Sequence, residues 1–293
     1  MGAGAGSAAG GGGRGQPGMP SIARVTAEDW VPPGVDTKRA NVARVYDYWL
    51  GGSHNFPADQ DVARAIVAVE PKMREIARAN RAFLGRAVRF LTANGIRQFL
   101  DIGSGIPAEG NVHEIALQAD PAARVVYVDI DEVAVAHSRA ILAGNTGAAV
   151  IKADLREPRK IILNDTLRTL IDVGQPTGLL LMVVLHFIAD AEDPWRIVAT
   201  LRDALAPGSY LVLGHATHEG RPAVAHATEK VYNRSVSTEL HLRSRAQIQR
   251  FFDGFEVVDP GLVYVPLWRP DSPADVPGDP REFGCLVAVA RKP

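Results

Sequence analysis

The stretch Gln98-Phe99-Leu100-Asp101-Ile102-Gly103-Ser104-Gly105-Ile106-Pro107 decides the fold. It opens as a short buried strand that ends on a carboxylate, and two glycines then turn the chain sharply. A helix is expected behind the turn, from about Glu109 to Gln118. Glycine serves where φ is positive or where a ligand must approach bare backbone. The first turn of the helix presents unpaired N–H groups to whatever sits there. Strand, glycine turn and helix together make a nucleotide-type cradle.

Downstream of the cradle, strands and helices alternate. Strands are expected at Arg124–Asp129, Ala149–Ala153, Gly178–Leu185 and Ser209–Gly214, with helices at Glu132–Leu142 and Pro194–Leu205. Gly178–Leu185 is almost wholly apolar, as suits a central parallel strand covered on both faces. Such alternation predicts an α/β fold with a doubly wound, Rossmann-like sheet. Its ligand belongs beyond the carboxyl ends of the strands. The rhythm then breaks. Helical stretches Pro222–Tyr232 and Ser244–Phe252 precede strands Phe255–Val265 and Phe283–Ala290, which flank a proline-rich loop. Strands joined without a helix predict an antiparallel pair at the edge of the sheet.

Upstream, residues 21–95 read as a helical extension or lid. One helix starts after a cap at Asp36 or Thr37, carries Val42, Val45, Tyr46, Trp49 and Leu50, and stops at Gly51-Gly52. A second covers Asp59–Val69, and a third runs to about Ala93 with Pro71 in its first turn. Residues 1–20 are rich in Gly, Ala and Ser and are expected to form a disordered tail. Residues 96–293 are expected to form the cofactor-binding domain.

The chain has 293 residues, 46% of them hydrophobic, and a formal net charge of −1. It can build a real core, and it lacks the bulk basic field that would favour nucleic acid. Its 26 arginines outnumber 6 lysines but are scattered, which reads as compositional bias and not as a phosphate surface. A single cysteine, Cys285, excludes a disulfide framework or a thiolate metal cluster within one chain. His54, His113, His186, His215 and His218 lack zinc-type spacing, so no metal is expected. No apolar run approaches the ~20 residues of a membrane span. The N-terminus lacks the pattern of a secretion signal, and a cytoplasmic protein without a membrane partner is expected. The oligomeric state stays open.

Gly103-x-Gly105-x-x-Ala108, with Asp129 further on, formally meets the dinucleotide fingerprint. Three acids argue against that ligand. Asp101 ends the first strand, Asp129 ends the second and Asp154 follows the third, so all three point into one crevice. A pyrophosphate near Asp101 would be repelled. S-adenosylmethionine (SAM) has no phosphate. It carries an ammonium, a sulfonium, a ribose diol and an adenine amine, which suit three carboxylates. Asp131 is a further candidate, although it also reads as a cap for the helix at Glu132.

At this point the chain resembles the class I SAM-dependent methyltransferases. The matching residues are Leu100 to Gly105, Val126 to Asp131, Ala153-Asp154-Leu155 and Leu205 to Leu211. It is also similar to a narrower bacterial family of proposed SAM-dependent methyltransferases, long classed as a domain of unknown function. The matches there are Ala43 to Phe56, Pro107 through Asn111-Val112-His113-Glu114, and Val184 to Ile188. The resemblance implies a seven-stranded sheet with an antiparallel last strand. Carried over by position, Gly103, Ser104 and Gly105 lie against the methionine moiety. Asp101 accepts from the amino group, Asp129 holds the ribose, and Asp154 with Leu155 lines the adenine. Leu185 and His186 face the methyl-transfer point.

Methyl transfer is an in-line displacement that needs alignment and exclusion of water, and a base only for an acceptor that keeps its proton until late. His186 is the best-placed candidate base; its alternative is a strand-end histidine bonded to backbone. Asn111 and His113 either contact the cofactor or cap and pack the following helix. Gly51 to Asn55, with His54 and Asn55, reads as a loop over the cofactor mouth, and Arg39 as partner of the methionine carboxylate. Leu185-His186-Phe187-Ile188 is not the Asn/Asp-Pro-Pro-aromatic motif of nucleic-acid amino-methylating enzymes. The expected acceptor is therefore a small molecule. Two alternatives remain: a SAM-binding regulator without turnover, and an NAD-dependent oxidoreductase.

Overall fold

The structure is a computed structural model that describes residues 1–2, 31, 35–107, 110–236 and 238–293. The expected tail at 1–20 lies outside the described residues except for its first two. Pro32–Pro293 form one compact unit.

The unit begins with α1 (Val42–Leu50), α2 (Pro57–Val69) and α3 (Met73–Ala93). The sheet region follows as β1 (Gln98–Ile102), α4 (Val112–Ala119), β2 (Arg124–Asp129), α5 (Glu132–Ile141) and β3 (Ala148–Lys152). Next come α6 (Pro158–Ile162), α7 (Asp165–Leu170), β4 (Gly178–Met182), α8 (Pro194–Ala204) and β5 (Tyr210–Ala216). The chain closes with α9 (Pro222–Ser235), α10 (Arg245–Gln249), β6 (Glu256–Val257), β7 (Val263–Tyr264) and β8 (Cys285–Arg291).

The sheet order is β3-β2-β1-β4-β5-β8-β6, with β7 also on β8. Strands β1 to β5 run parallel, and β8 runs antiparallel to β5. This is the doubly wound sheet that the alternation predicts. Every residue of β1 and of β4 is buried. One sheet face packs Phe99, Val125, Leu180 and Val212 against Phe83, Val88 and Leu91 of α3. The other packs Leu100, Val126, Leu181 and Leu211 against Ile161, Leu167, Ile197 and Ile248. Each such side chain contributes about 1.5–3 kcal/mol by leaving water.

A third core joins Val45 and Trp49 of α1, Val62 and Ile66 of α2, Ala77 of α3 and Tyr232 of α9. Helix α3 therefore serves two cores, its early turns in this one and its later turns on the sheet. Helix α9, which follows β5 in the chain, packs on α2. The buried pair Arg44–Asp59, at 3.2 Å, ties α1 to α2.

Several boundaries differ from the sequence reading. Helix α1 is capped by Asn41, whose side chain accepts from the Ala43 N–H, and not by Asp36 or Thr37. Helix α3 starts at Met73, past Pro71, and α4 starts at Val112, where Asn111 and Glu114 form a capping box. Strand β3 sits one residue early. Strand β4 stops at Met182 because Val183 turns left-handed at φ 49, and Leu185–Phe187 form a 3-10 turn. A β-branched residue is strained there, and such strain gathers at functional sites. The strand expected over Phe255–Val265 is broken into β6 and β7, so the described residues form eight strands where seven were expected. Pro260 in the break has no N–H for the ladder. Helices α6 and α7 are too short to leave a periodic signal.

Candidate active site

A cavity of about 330 Å³ lies at the carboxyl ends of β1, β2 and β4. Its floor comes from Asp101 to Ile106, Val128 to Asp131 and Met182 to Val184. Its walls include Tyr46 and Trp49 of α1, Asn80 and Arg81 of α3, and Thr228 and Tyr232 of α9. The parallel register brings the strand ends together, so Asp101, Asp129, Asp131 and Asp154 share this one hollow.

Burial dominates the electrostatics. It pushes the Asp101 carboxyl up to about 7, with Arg81 pulling the value down and Asp129 pushing it further up. It pushes Asp129 up to about 6, against the N–H groups of Asp131 and Gly105. Asp129 Oδ2 accepts from the Gly105 N–H at 2.7 Å, and Oδ1 accepts from the Asp131 N–H at 2.9 Å. It thereby ties the glycine turn to the end of β2. Asp131 caps α5 by accepting from the Ala134 N–H at 2.8 Å, and it also lines the cavity. Asp154 accepts from the Arg156 N–H at 2.9 Å and pairs with its guanidinium. Leu155 is buried beside it on the wall.

The two glycines of the turn have different reasons. Gly103 has φ +75, and a Cβ there would lie 2.4 Å from Val184 Cγ2. Gly105 has φ +67, but a Cβ there would meet nothing within 4 Å. Gly103→Ala is therefore expected to destabilise by about 3 kcal/mol or more, from strain plus overpacking. Gly105→Ala should cost about 1–2 kcal/mol from strain alone. Urea unfolding of both variants checks the order, and equal losses would contradict it.

The cavity has the marks of a ligand site. Ser104 Oγ, Asn80 Oδ1 and Thr228 Oγ1 are buried without a hydrogen-bond partner among the described residues, and all three residues line it. Buried polar atoms are otherwise paired as a rule. Two buried carboxyls with raised pKa, Asp101 and Asp129, line the same hollow. A ligand with an ammonium, a sulfonium and hydroxyls fits that donor and acceptor set.

The other expected site residues divide between the cavity, its edge and places off it. Arg39 is exposed and does not line the cavity; Arg81 of α3 does, and its field reaches Asp101. His54 and Asn55 also lie off the cavity. Asp47 Oδ2 accepts from the His54 N–H at 2.9 Å and from Asn55 Nδ2 at 2.7 Å, and the His54 ring packs on His137 of α5. Leu185 is wholly buried in the sheet core, whereas His186 lines the cavity. Asn111 and His113 line a small side pocket together with Asp101, Ser104 and Gly105. Asn111 also bonds Glu114, and His113 Nδ1 lies 2.7 Å from the Tyr127 hydroxyl, so both take part in capping and packing α4 as well. Tyr46, Asn80, Arg81 and Thr228 were not marked by the sequence as site residues. Tyr46, Ala77, Asn80 and Arg81 fall on helix faces whose partners no local pattern names.

Among the described residues, no helix is long and apolar enough to cross a membrane. The sequence profile of the S-adenosyl methyltransferase family matches residues 28–293. A crystal structure of a proposed methyltransferase from Thermobifida fusca is 41% identical, over 90% of this chain and 98% of that one, with a TM-score of 0.84. A DUF574 family protein from Streptomyces avermitilis is 38% identical, over 88% of this chain and 99% of that one, with a TM-score of 0.85. No curated protein matches the chain.

Proposed function

The chain belongs to the S-adenosyl methyltransferase family, and on that premise we propose that this SAM-dependent methyltransferase acts on a small, largely apolar acceptor held beside α1, α3 and α9. The carrying observation is the extent of the cavity. It continues from the strand-end acids to Tyr46, Leu242, Phe283 and Cys285, so room remains beyond the acids. Helices wall that room, which suits a small molecule better than a duplex or a folded protein. Charges near it are paired: Arg221 Nη1 donates to Glu70 Oε2 at 3.0 Å, and Lys72 pairs with Glu282. A neutral acceptor suits paired walls. The same room favours turnover over a regulator that only binds SAM.

The cofactor assignment follows the acids. Asp101 takes the amino group, the Gly103–Gly105 backbone and Ser104 hydroxyl meet the methionine moiety, and Asp129 takes the ribose diol. Asp154 and Leu155 border the adenine. Arg81 replaces Arg39 as partner of the methionine carboxylate. SAM bound there supplies a methyl carbon already activated by its sulfonium. The chain's own work is to align the acceptor and exclude water.

Arg81→Met is expected to raise the Kd for SAM about 10- to 100-fold, the worth of one charged hydrogen-bonding partner. Arg39→Ala should change it less than about 2-fold. Isothermal titration decides, and equal effects would return the role to Arg39. The acceptor is tested with methyl-labelled SAM and a bacterial cell extract. Label should enter the low-mass, solvent-extractable fraction. Label confined to nucleic acid or protein overturns the reading.

A further inference from the structure

Taking the small-molecule reading above as its basis, the geometry points to His186 as a hydrogen-bond donor to the methyl acceptor, with its proton on Nε2, and not as the base of the reaction. The backbone carries the argument. The Ala216 N–H can only donate, and it lies 3.4 Å from His186 Nδ1. Nδ1 therefore presents its lone pair, and the single proton of the ring sits on Nε2. His186 is a wall of the cavity, next to the strained Val183 and to Val184.

The next layer holds that arrangement. His215 Nδ1 lies 2.7 Å from the Ala216 carbonyl, which can only accept, so His215 carries its proton on Nδ1. Its Nε2 then accepts from Arg243 Nη1 at 2.8 Å. Arg243 is almost wholly buried and is fixed by the carbonyls of Leu185 and Ile188 and by Asp190 Oδ1. The His186 ring meets His215 edge-on at 5.6 Å and Phe187 at 4.3 Å. Burial, His215, Arg243 and His241 all hold the His186 pKa well below its ordinary value. Asp190, the acid of this cluster, is spent on Arg243. Arg243 thus fixes His215, against which the His186 ring packs.

Other bases on the cavity wall are engaged as well. Asp47 accepts from the loop at His54, Glu70 from Arg221, and Glu219 from the Arg245 N–H at 2.6 Å. Asp101 is assigned to the cofactor ammonium. The acceptor class that fits is a nucleophile with no proton to lose before transfer, bearing an atom that accepts from Nε2–H. Its lone pair forms the bond to the methyl carbon, the carbon–sulfur pair remains on sulfur, and no proton passes to the protein.

Nitrogen NMR on the full chain labelled with [15N]histidine tests this directly, with His186→Gln used for assignment. His186 should show a protonated Nε2 and a bare Nδ1, unchanged from pH 5.5 to 8.5. A protonated Nδ1, or a titration within that range, overturns the inference, whether or not SAM binds. Transfer from labelled SAM gives a second readout. Gln retains an N–H near the Nε2 position, so His186→Gln should keep at least 10-fold more activity than His186→Phe. Equal loss in the two variants, with SAM affinity intact in both, marks His186 as a base. Failure of the wild-type chain to bind SAM in calorimetry counts against the cofactor assignment and leaves the NMR result standing.

Discussion

Asp129→Asn is expected to raise the Kd for SAM about 10- to 100-fold while the chain keeps its fold. Both carboxylate oxygens of Asp129 accept backbone N–H groups, Oδ2 from Gly105 and Oδ1 from Asp131. An amide has one acceptor oxygen, so its NH2 must face one of those N–H groups. The glycine turn then loses its tether to β2. Under the proposed cofactor assignment the ribose diol loses a charged acceptor at the same residue. Hydrogen bonds to a charged group are worth about 1.5–3 kcal/mol each. The diol contact alone is worth about a 10- to 100-fold change in Kd, and the lost tether acts on binding only by loosening the turn. Calorimetry with SAM measures the effect, and circular dichroism confirms the fold. A Kd within a few-fold of wild type would remove Asp129 from the cofactor site.

Asp101→Asn should move stability and binding in opposite directions. The Asp101 carboxyl is held at about 7, chiefly by burial. A carboxyl whose folded pKa lies above its unfolded value of 3.8 binds more protons in the folded state. Its contribution to stability is therefore full below pH ~4 and is lost as pH rises toward 7. Asparagine carries no such loss. The ligand-free variant should be more stable than wild type at pH 8, by roughly 2–4 kcal/mol, and should lose that advantage near pH 4. Its affinity for SAM should fall by about 10-fold or more, because the ammonium loses its counter-charge. Urea unfolding at the two pH values, paired with calorimetry, reads both signs. A variant that is less stable at pH 8 would show that Asp101 is a structural acid and not one kept for a ligand.

The strand ends were legible because they are local. The bounds of β1 and β2 could be read to the residue from an apolar run ending on an acid. Three acids placed by that rule, Asp101, Asp129 and Asp154, share one hollow, and Asp131, read also as a helix cap, lines it too. The rule failed where a side chain's neighbours come from far along the chain. Arg39 and Arg81 both lie in the helical lead, and no pattern chooses between them. The structure puts Arg81 of α3 on the cavity wall, with its Nη2 donating to the Gly110 carbonyl at 3.3 Å, and leaves Arg39 off it. His54 and Asn55 looked like cofactor ligands by composition, yet Asp47, a few residues back, organises both. Leu185 and His186 are neighbours in one turn, and only the packing turns one into the core and the other onto the cavity.

The alternation of strands and helices, the acids at the carboxyl ends of the strands and the glycine turn between them were set by the amino-acid sequence alone. Each depends on alternation, chain direction and backbone freedom within a few residues. Tertiary structure decided which helices wall the cavity, which cation stands near Asp101 and which nitrogen of His186 holds the proton. Those outcomes rest on contacts between α3, α9, β5 and Arg243, segments far apart in the chain that meet only when the cores close.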